Sequence, residues 1–263
     1  MNRPQLQKSP RLMRDHYRRP QNPVKTRRAE QQFARQLREI GRHVGRIIEG
    51  FPPGDPAAVP TIRQILEGYA DLLAPWAERT AAKMLADVDA RDRDAWRRLG
   101  NEISNELHRD LQITPVGTQM RELLAEQVGL IRSIPIEAAE RVHKLTLEGL
   151  ENSTRAAEIK AEILRSGEVT ESRAMLIART EVARTATVLT QTRARAAGST
   201  HYIWRTAHDH DVRPGHKAME GKVCEWADPP AVNEGGRIMR HHPGAIWNCR
   251  CWPEILLPDA ART

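Results

Sequence analysis

The 263-residue chain reads as mainly α: an elongated helical body followed by a small C-terminal α+β, loop-rich module. Three observations carry this expectation. Before position 198, Ala, Leu, Arg, Glu and Gln dominate and β-branched runs are few, a composition that favours helix over sheet. In the same stretch apolar residues recur at spacings of three and four, the period of one helical face. After Gly198 the character changes: residues 201–252 hold six of the ten histidines, all three cysteines and four of the six tryptophans, in short segments that alternate at period two.

From Thr26 to Phe51, Phe33, Leu37, Ile40, Val44, Ile47 and Ile48 form one stripe, which predicts an amphipathic helix. Pro52-Pro-Gly-Asp-Pro56 ends it, and the aperiodic segment to Pro60 reads as a linker. A second helix opens near Thr61 and runs through Leu66, Leu73 and Val88, with Pro75 as a kink point. The charge run Asp87 to Asp94 is expected to be a turn leading into Trp96, Leu99, Ile103 and Leu107. Thr114-Pro115 has the form of an N-cap followed by Pro at the first helical position, opening a helix through Ile131. Ser133 and Pro135 then mark a new start, with Ile136, Ala139, Val142 and Leu150 on one face. Helices from Thr154 to Arg165 and from Glu171 to Ala197, separated by Ser166-Gly167, complete a body of antiparallel and crossing elements without an internal repeat. Beyond Gly198, His201 to Thr206 and Lys222 to Trp226 read as short strands between turn-forming clusters, with Gly235-Gly236 as a flexible tip.

The net charge of +7 is concentrated at one end. Residues 1–28 contain Arg3, Lys8, Arg11, Arg14, Arg18, Arg19, Lys25, Arg27 and Arg28 against the single acid Asp15, a balance of +8, so the remaining 235 residues sum to −1. Such an apolar-poor terminus cannot bury enough surface to offset its ordering entropy and reads as a flexible arm whose partners are polyanions, DNA among them, or an acidic protein groove. A solubilising tail, or a strap lying on the protein's own surface, stands beside that reading. No apolar run approaches the length of a bilayer span and no signal-peptide core follows the basic start, so the expectation is a soluble protein made in a cytoplasm. The domain organisation that follows is an arm at 1–28, a helical body at 29–150, and a C-terminal domain at 151–258 with helices to 197 and a small β/loop module from 199.

An odd cysteine number, with two thiols one residue apart, argues against a disulfide framework and for free thiols or thiolates on a metal. A module of sixty or so residues with few aliphatic side chains is short of core and needs a metal, cross-links or a neighbouring surface. Cys249 and Cys251 with His216 and His242 are the candidate ligands of a structural Cys2His2 zinc site, although Cys-x-Cys is a less common zinc spacing than Cys-x-x-Cys. The competing interpretation makes the cysteines small buried hydrophobes and lets the histidines hydrogen-bond the turns. Arg213 and Arg250 lie among Asp209, Asp211, Glu225 and Asp228 in sequence, with Glu181 as a further acceptor, and planar guanidinium forks suit such carboxylates. Trp204, Trp226, Trp247 and Trp252 are the expected core of the module. Asp209, Asp211, His216, His241, His242 and Asn248 include the residue types of metal-dependent nucleases, but sequence order does not show convergence, and no hydrolase, phosphate-loop or His-Glu-x-x-His motif is present.

Ile177-Ala-Arg179-Thr-Glu181, the turn at Gly198, the strand Tyr202-x-Trp204-x-Thr206, the segment Asp209 to His216, and the closing His242-Pro-Gly244 and Asn248-Cys-Arg-Cys251 occur in that order. This succession resembles the phage Mu F-like head morphogenesis proteins, the minor head (minor capsid) proteins of tailed bacteriophages, over about residues 150 to 255. Cys224 and the three residues between His-Pro-Gly and Asn-Cys-Arg-Cys depart from the pattern. The resemblance implies a non-enzymatic virion protein that binds the portal and other capsid proteins during capsid assembly. Such a protein resides inside the head near the portal and close to packaged DNA, and passes through the host cytoplasm before assembly. A metal-dependent nuclease or toxin-like effector built on the same module is the alternative from another class.

Overall fold

The computed structural model describes residues 20–99, 116–151 and 156–257. Six of the nine basic residues of the arm, Arg3, Lys8, Arg11, Arg14, Arg18 and Arg19, and the expectations for Ile103, Leu107, Thr114 and Thr154 lie outside them.

Helix α1 (Arg27–Glu49) buries the expected stripe, Phe33, Leu37, Ile40, Val44 and Ile48. Residues 20–26, assigned to the arm, lie along the protein: Val24 is buried, and the Pro23 and Lys25 carbonyls accept hydrogen bonds from Arg98 and Arg91. Arg27 and Arg28 are the first residues of α1, so this end of the arm is strap and helix. After the Pro-rich turn, α2 (Val59–Leu72) starts with Pro60 in its first turn, where a missing N–H costs nothing. The expected kink at Pro75 is a full break: α3 (Ala74–Leu99) opens there, with Pro75 near its start.

Two expected helix boundaries are absent. Asp87 to Asp94 is not a turn but part of α3, because its charges pair along the helix, Asp87 with Arg91 and Asp89 with Arg93, at i,i+4 spacing. Its inward members Asp89 and Asp92 reach a buried arginine described below. Pro135 does not start a helix but sits inside α4 (Val116–Glu151). Ile131, Ile134, Ala138 and Ala139 around it are all buried, and the Ser133 hydroxyl donates to the Leu130 carbonyl at 2.9 Å, beside the bond that proline removes.

A short α5 (Ala156–Leu164) leads into α6 (Ser166–Ala196), which begins five residues before the expected Glu171. Gly167 belongs to its first turn because it is a crossing point: a Cβ there would lie 2.8 Å from the Gly45 Cα of α1. Glycine on both helices lets the backbones approach, and α1 lies against α6 more extensively than any other pair of described elements.

The C-terminal module contains β1 (His201–Arg205), a one-turn α7 (Pro214–Lys217), β2 (Val223–Glu225), β3 (Ala231–Asn233), β4 (Ile238–Arg240) and β5 (Trp252–Leu256). Strand β1 is central in an antiparallel sheet ordered β2-β1-β5, pairing Tyr202 with Cys224 and with Ile255, while β3 and β4 form a separate hairpin. Gly235 and Gly236 take positive φ at the hairpin tip. Trp204, Trp226 and Trp252 are buried as expected, each contributing roughly 4–6 kcal/mol of apolar burial at about 25 cal/mol per Å². Trp247 is not core: it is 48% exposed. The described residues hold two hydrophobic clusters, one in the helical body and one in the module, and Trp96, Ala194 and Ala197 join the second.

Candidate functional site

The module converges on a buried group built from three segments. Pro214 opens α7 and places His216 against the core; Gly215 is required beside it, because a Cβ there would stand 2.1 Å from the Asn233 carbonyl oxygen of β3. The Asn248-Cys-Arg-Cys251 segment turns through a left-handed Asn248, φ 53°. It thereby presents two thiols to the ring, each with its Sγ 3.4 Å from His216 Nδ1. On the opposite edge, His216 Nε2 lies 2.5 Å from Glu234 Oε1, and His241 Nε2 is 2.9 Å from the same oxygen. Arg213 approaches Glu234 Oε2 at 3.3 Å. His216, Cys249 and Cys251 are 2–5% exposed, and the Glu234 side chain 3%.

These contacts divide the proton load unevenly. A hydrogen bond from Cys251, opposed by burial and helped by His216, draws the Cys249 thiol far below its ordinary range, whereas the same partnership with Cys249, together with burial, pushes Cys251 up. The pair gives up one proton readily and the second with difficulty. Burial pulls His216 down, but Cys249 and Glu234 together outweigh it and raise its affinity for a proton. Burial likewise opposes the ionised Glu234, yet its bonds to His216 and His241 and the nearby Arg213 hold it below the usual carboxylate range. Among the described residues, two sets of ligand-type atoms lie within 4.8 Å of one another: His216, Cys249 and Cys251, and His216, Glu234 and His241.

His242, expected with the cysteines, is in neither set. The intervening Tyr202–Trp226 cluster claims it: Nδ1 is 2.9 Å from the Tyr202 hydroxyl, Nε2 is 3.3 Å from Gln191 Nε2, and the ring lies against Trp226. Burial, followed by His241 and Arg195, depresses its pKa to about 4, so it is a neutral acceptor. Sequence reasoning missed Glu234 as the group that joins His216 to His241; an acid preceding Gly235-Gly236 carries no ligand spacing that would have marked it.

The remaining motif residues dock the module onto α6. The Asn248 amide N–H donates to Thr180 Oγ1 at 3.0 Å, while Arg179 donates to Asn248 Oδ1 at 2.8 Å and to Glu30 of α1 at 3.1 Å. Thr187 donates to the Pro243 carbonyl at 2.7 Å. Gly244, at φ 79°, leaves no space for a side chain between Thr187 and the Cys251 carbonyl. Glu181 does not reach the module; it is buried with Arg184 as its ion-pair neighbour at 3.6 Å, and desolvation raises its pKa.

The Arg–carboxylate pairing differs in part from expectation. Arg250 bridges Asp209 and Asp211, at 2.9 Å each. Arg213 instead takes Glu234 and the Trp247 carbonyl, at 2.7 Å, with its guanidinium over the Trp247 ring. Glu225 faces His201 and Asp228 faces Arg240. The two aspartates therefore stand with Arg250 and outside both histidine groups.

A cavity of about 790 Å³ opens between the start of α1, α6 and the Arg250 to Pro253 segment. Arg27, Arg35, Arg38, Arg179 and Arg250 line it against the single acid Glu30, and Arg38 Nε is buried without a hydrogen-bond partner. Lys25, Arg27 and Arg28 are exposed close to where residues 20–26 meet this face.

Residues 140–253 match the family model described as Phage Mu protein F like protein, which bears out the resemblance drawn from the motifs. A protein of Haemophilus influenzae (strain ATCC 51907 / DSM 11121 / KW20 / Rd), described as an uncharacterized protein, is 30% identical over 154 residues, 58% of this chain. The chain spans 33% of that relative's length. No solved structure matches. No helix of the described residues is long and apolar enough to cross a membrane.

Proposed function

From a C-terminal region that is phage Mu F-like over residues 140–253, we propose that this protein is a minor head protein of a tailed bacteriophage or prophage. Its role in head morphogenesis is to bind the portal and other capsid proteins; it is not an enzyme. The family match is the observation that carries this reading. What supports a binding role is the way the motif residues, with Thr187 beside them, are used. Arg179, Thr180, Thr187, Pro243 and Asn248 hold the module on the helical body, and Asp209 and Asp211 pair with Arg250. A nuclease would need those carboxylates beside the histidines around an open metal position.

Lys25, Arg27 and Arg28 at the end of the basic segment and the arginine-lined cavity supply a face of positive charge, suited to an acidic protein surface or to DNA inside the head. Co-expression with the portal protein of the same phage or prophage, followed by co-purification, is expected to recover both chains. If residues 1–28 make ~6 phosphate contacts, DNA affinity falls about 10³-fold between roughly 50 and 200 mM salt, and removal of those residues abolishes it. Portal binding that is absent under all conditions, or magnesium-dependent DNA cleavage lost on Asp209→Ala, overturns the reading.

A further inference from the structure

We propose that the chain binds one zinc ion through His216 Nδ1, Cys249 Sγ and Cys251 Sγ, with Glu234 orienting His216 from the opposite edge of its ring. The geometry is specific. A tetrahedral zinc with Zn–S near ~2.3 Å and Zn–N near ~2.0 Å sets S···N edges of about 3.5 Å. Both observed S···N separations are 3.4 Å. A single N–H on Nδ1 can reach both sulfurs only as a divided, weaker three-centre bond. An ion on the face shared by the three atoms accounts for both.

The surroundings complete the arrangement. Histidine ligands commonly donate their other N–H to a carboxylate, which fixes the tautomer and turns the free lone pair to the metal; Glu234 occupies that position at 2.5 Å. The Trp204 indole N–H is buried without a hydrogen-bond acceptor, and the Trp204 ring stands edge-on to the His216 ring with centroids 5.5 Å apart. Binding displaces to solvent the proton the two thiols retain and any proton on His216 Nδ1, so both sulfurs are thiolates on a divalent cation while the Nε2 proton stays on the bond to Glu234. The other group, His216 with Glu234 and His241, is the poorer site, because Arg213 already places a positive charge 3.3 Å from Glu234. Three protein donors leave a fourth coordination position for water or an exogenous ligand.

The test uses the full chain, expressed without a histidine tag in zinc-supplemented medium. Elemental analysis is expected to find about one zinc per chain. A mercurial thiol reagent should release it stoichiometrically to a chromogenic chelator, a readout that needs no variant. Cobalt exchanged into the site should show thiolate-to-cobalt charge-transfer absorption. His216→Ala, and Cys249→Ser with Cys251→Ser, are expected to lower the zinc to near zero, whereas His242→Ala retains it. Metal-free wild-type protein that takes up neither zinc nor cobalt overturns the proposal, as does zinc retained by the double serine variant. Zinc lost from a folded His242→Ala variant overturns the ligand set. This site does not rest on the head-protein reading: metal-free protein that still binds the portal removes the zinc alone, and zinc-loaded protein that never does so removes the function alone.

Discussion

At the scale of single residues, His242 shows how burial decides what a histidine does. Its Nε2 faces the donating amide of Gln191 and its Nδ1 lies 2.9 Å from the Tyr202 hydroxyl, and Tyr202 stays a phenol because burial, then Cys224, raises its pKa. With burial, His241 and Arg195 holding His242 at about 4 in the native state, against roughly 6.5 in the unfolded chain, the unfolded state binds a proton in that window that the native state refuses. Stability present above about pH 6.5 is therefore lost as pH falls towards 4, by up to about 3 kcal/mol. His242→Gln removes the titrating group, so its unfolding midpoint in urea, followed by tryptophan fluorescence, should depend less on pH than the parent's. Equal slopes would show that His242 is not the group responsible. The sequence marked His242 and its Pro-Gly successors as notable but not their use, since adjacent histidines 241 and 242 point to different partners and sequence adjacency carries no orientation.

Among elements, the decisive contact is the one between α3 and α6. Arg193 is 2% exposed and pairs with Asp92, and with Asp89 at 2.5 Å, while Thr190 donates to Asp92 at 2.6 Å. Burial of Asp92 outweighs even these partners and raises its pKa, a sign of how much desolvation the cluster carries. Arg193→Met leaves the buried Asp92 without a cation, while Asp89 keeps Arg93, and is expected to cost about 3–5 kcal/mol; adding Asp92→Leu should recover most of that loss. Denaturant unfolding followed by far-ultraviolet circular dichroism reads both, and a single variant as stable as the parent would mean the pairing contributes nothing net. From the chain alone this charge run reads as a solvated turn, because alternating Asp and Arg are equally compatible with a loop and with a helix whose inner face meets an arginine a hundred residues away. The α1 stripe was legible for the opposite reason: an apolar period of 3.6 is a local signal, and a single face satisfies it.

For the whole molecule, the arrangement depends on how the module sits on α6. The His-Pro-Gly turn is pressed against Thr187 and Ala183, so Gly244→Ala brings both left-handed strain and a collision, expected to cost about 1–3 kcal/mol. Hydrogen exchange should then rise across residues 201–257 while α1 and α4 stay protected. Unchanged protection of the module would show that docking is held elsewhere, through Arg179 and Asn248. The same view explains why Trp96 joins the core of the module and why Trp247 stays outside it. A tryptophan's burial follows from which surface lies opposite, and that surface belongs to another segment.

By itself the sequence determined the mainly helical class, the apolar faces of the helices, the change of character near Gly198, and the Mu F-like order of motifs from Ile177 to Cys251. The first three are local properties of composition and period, and the last is a resemblance carried by the order of short motifs. Tertiary structure alone decided that Pro135 lies inside a helix, that Gly167 and Gly45 are a crossing point, and that His216 meets Cys249 and Cys251 with Glu234 behind it while His242 turns to Tyr202. Each of those outcomes depends on atoms brought together from distant parts of the chain, where burial and mutual orientation, which spacing does not encode, set the energy.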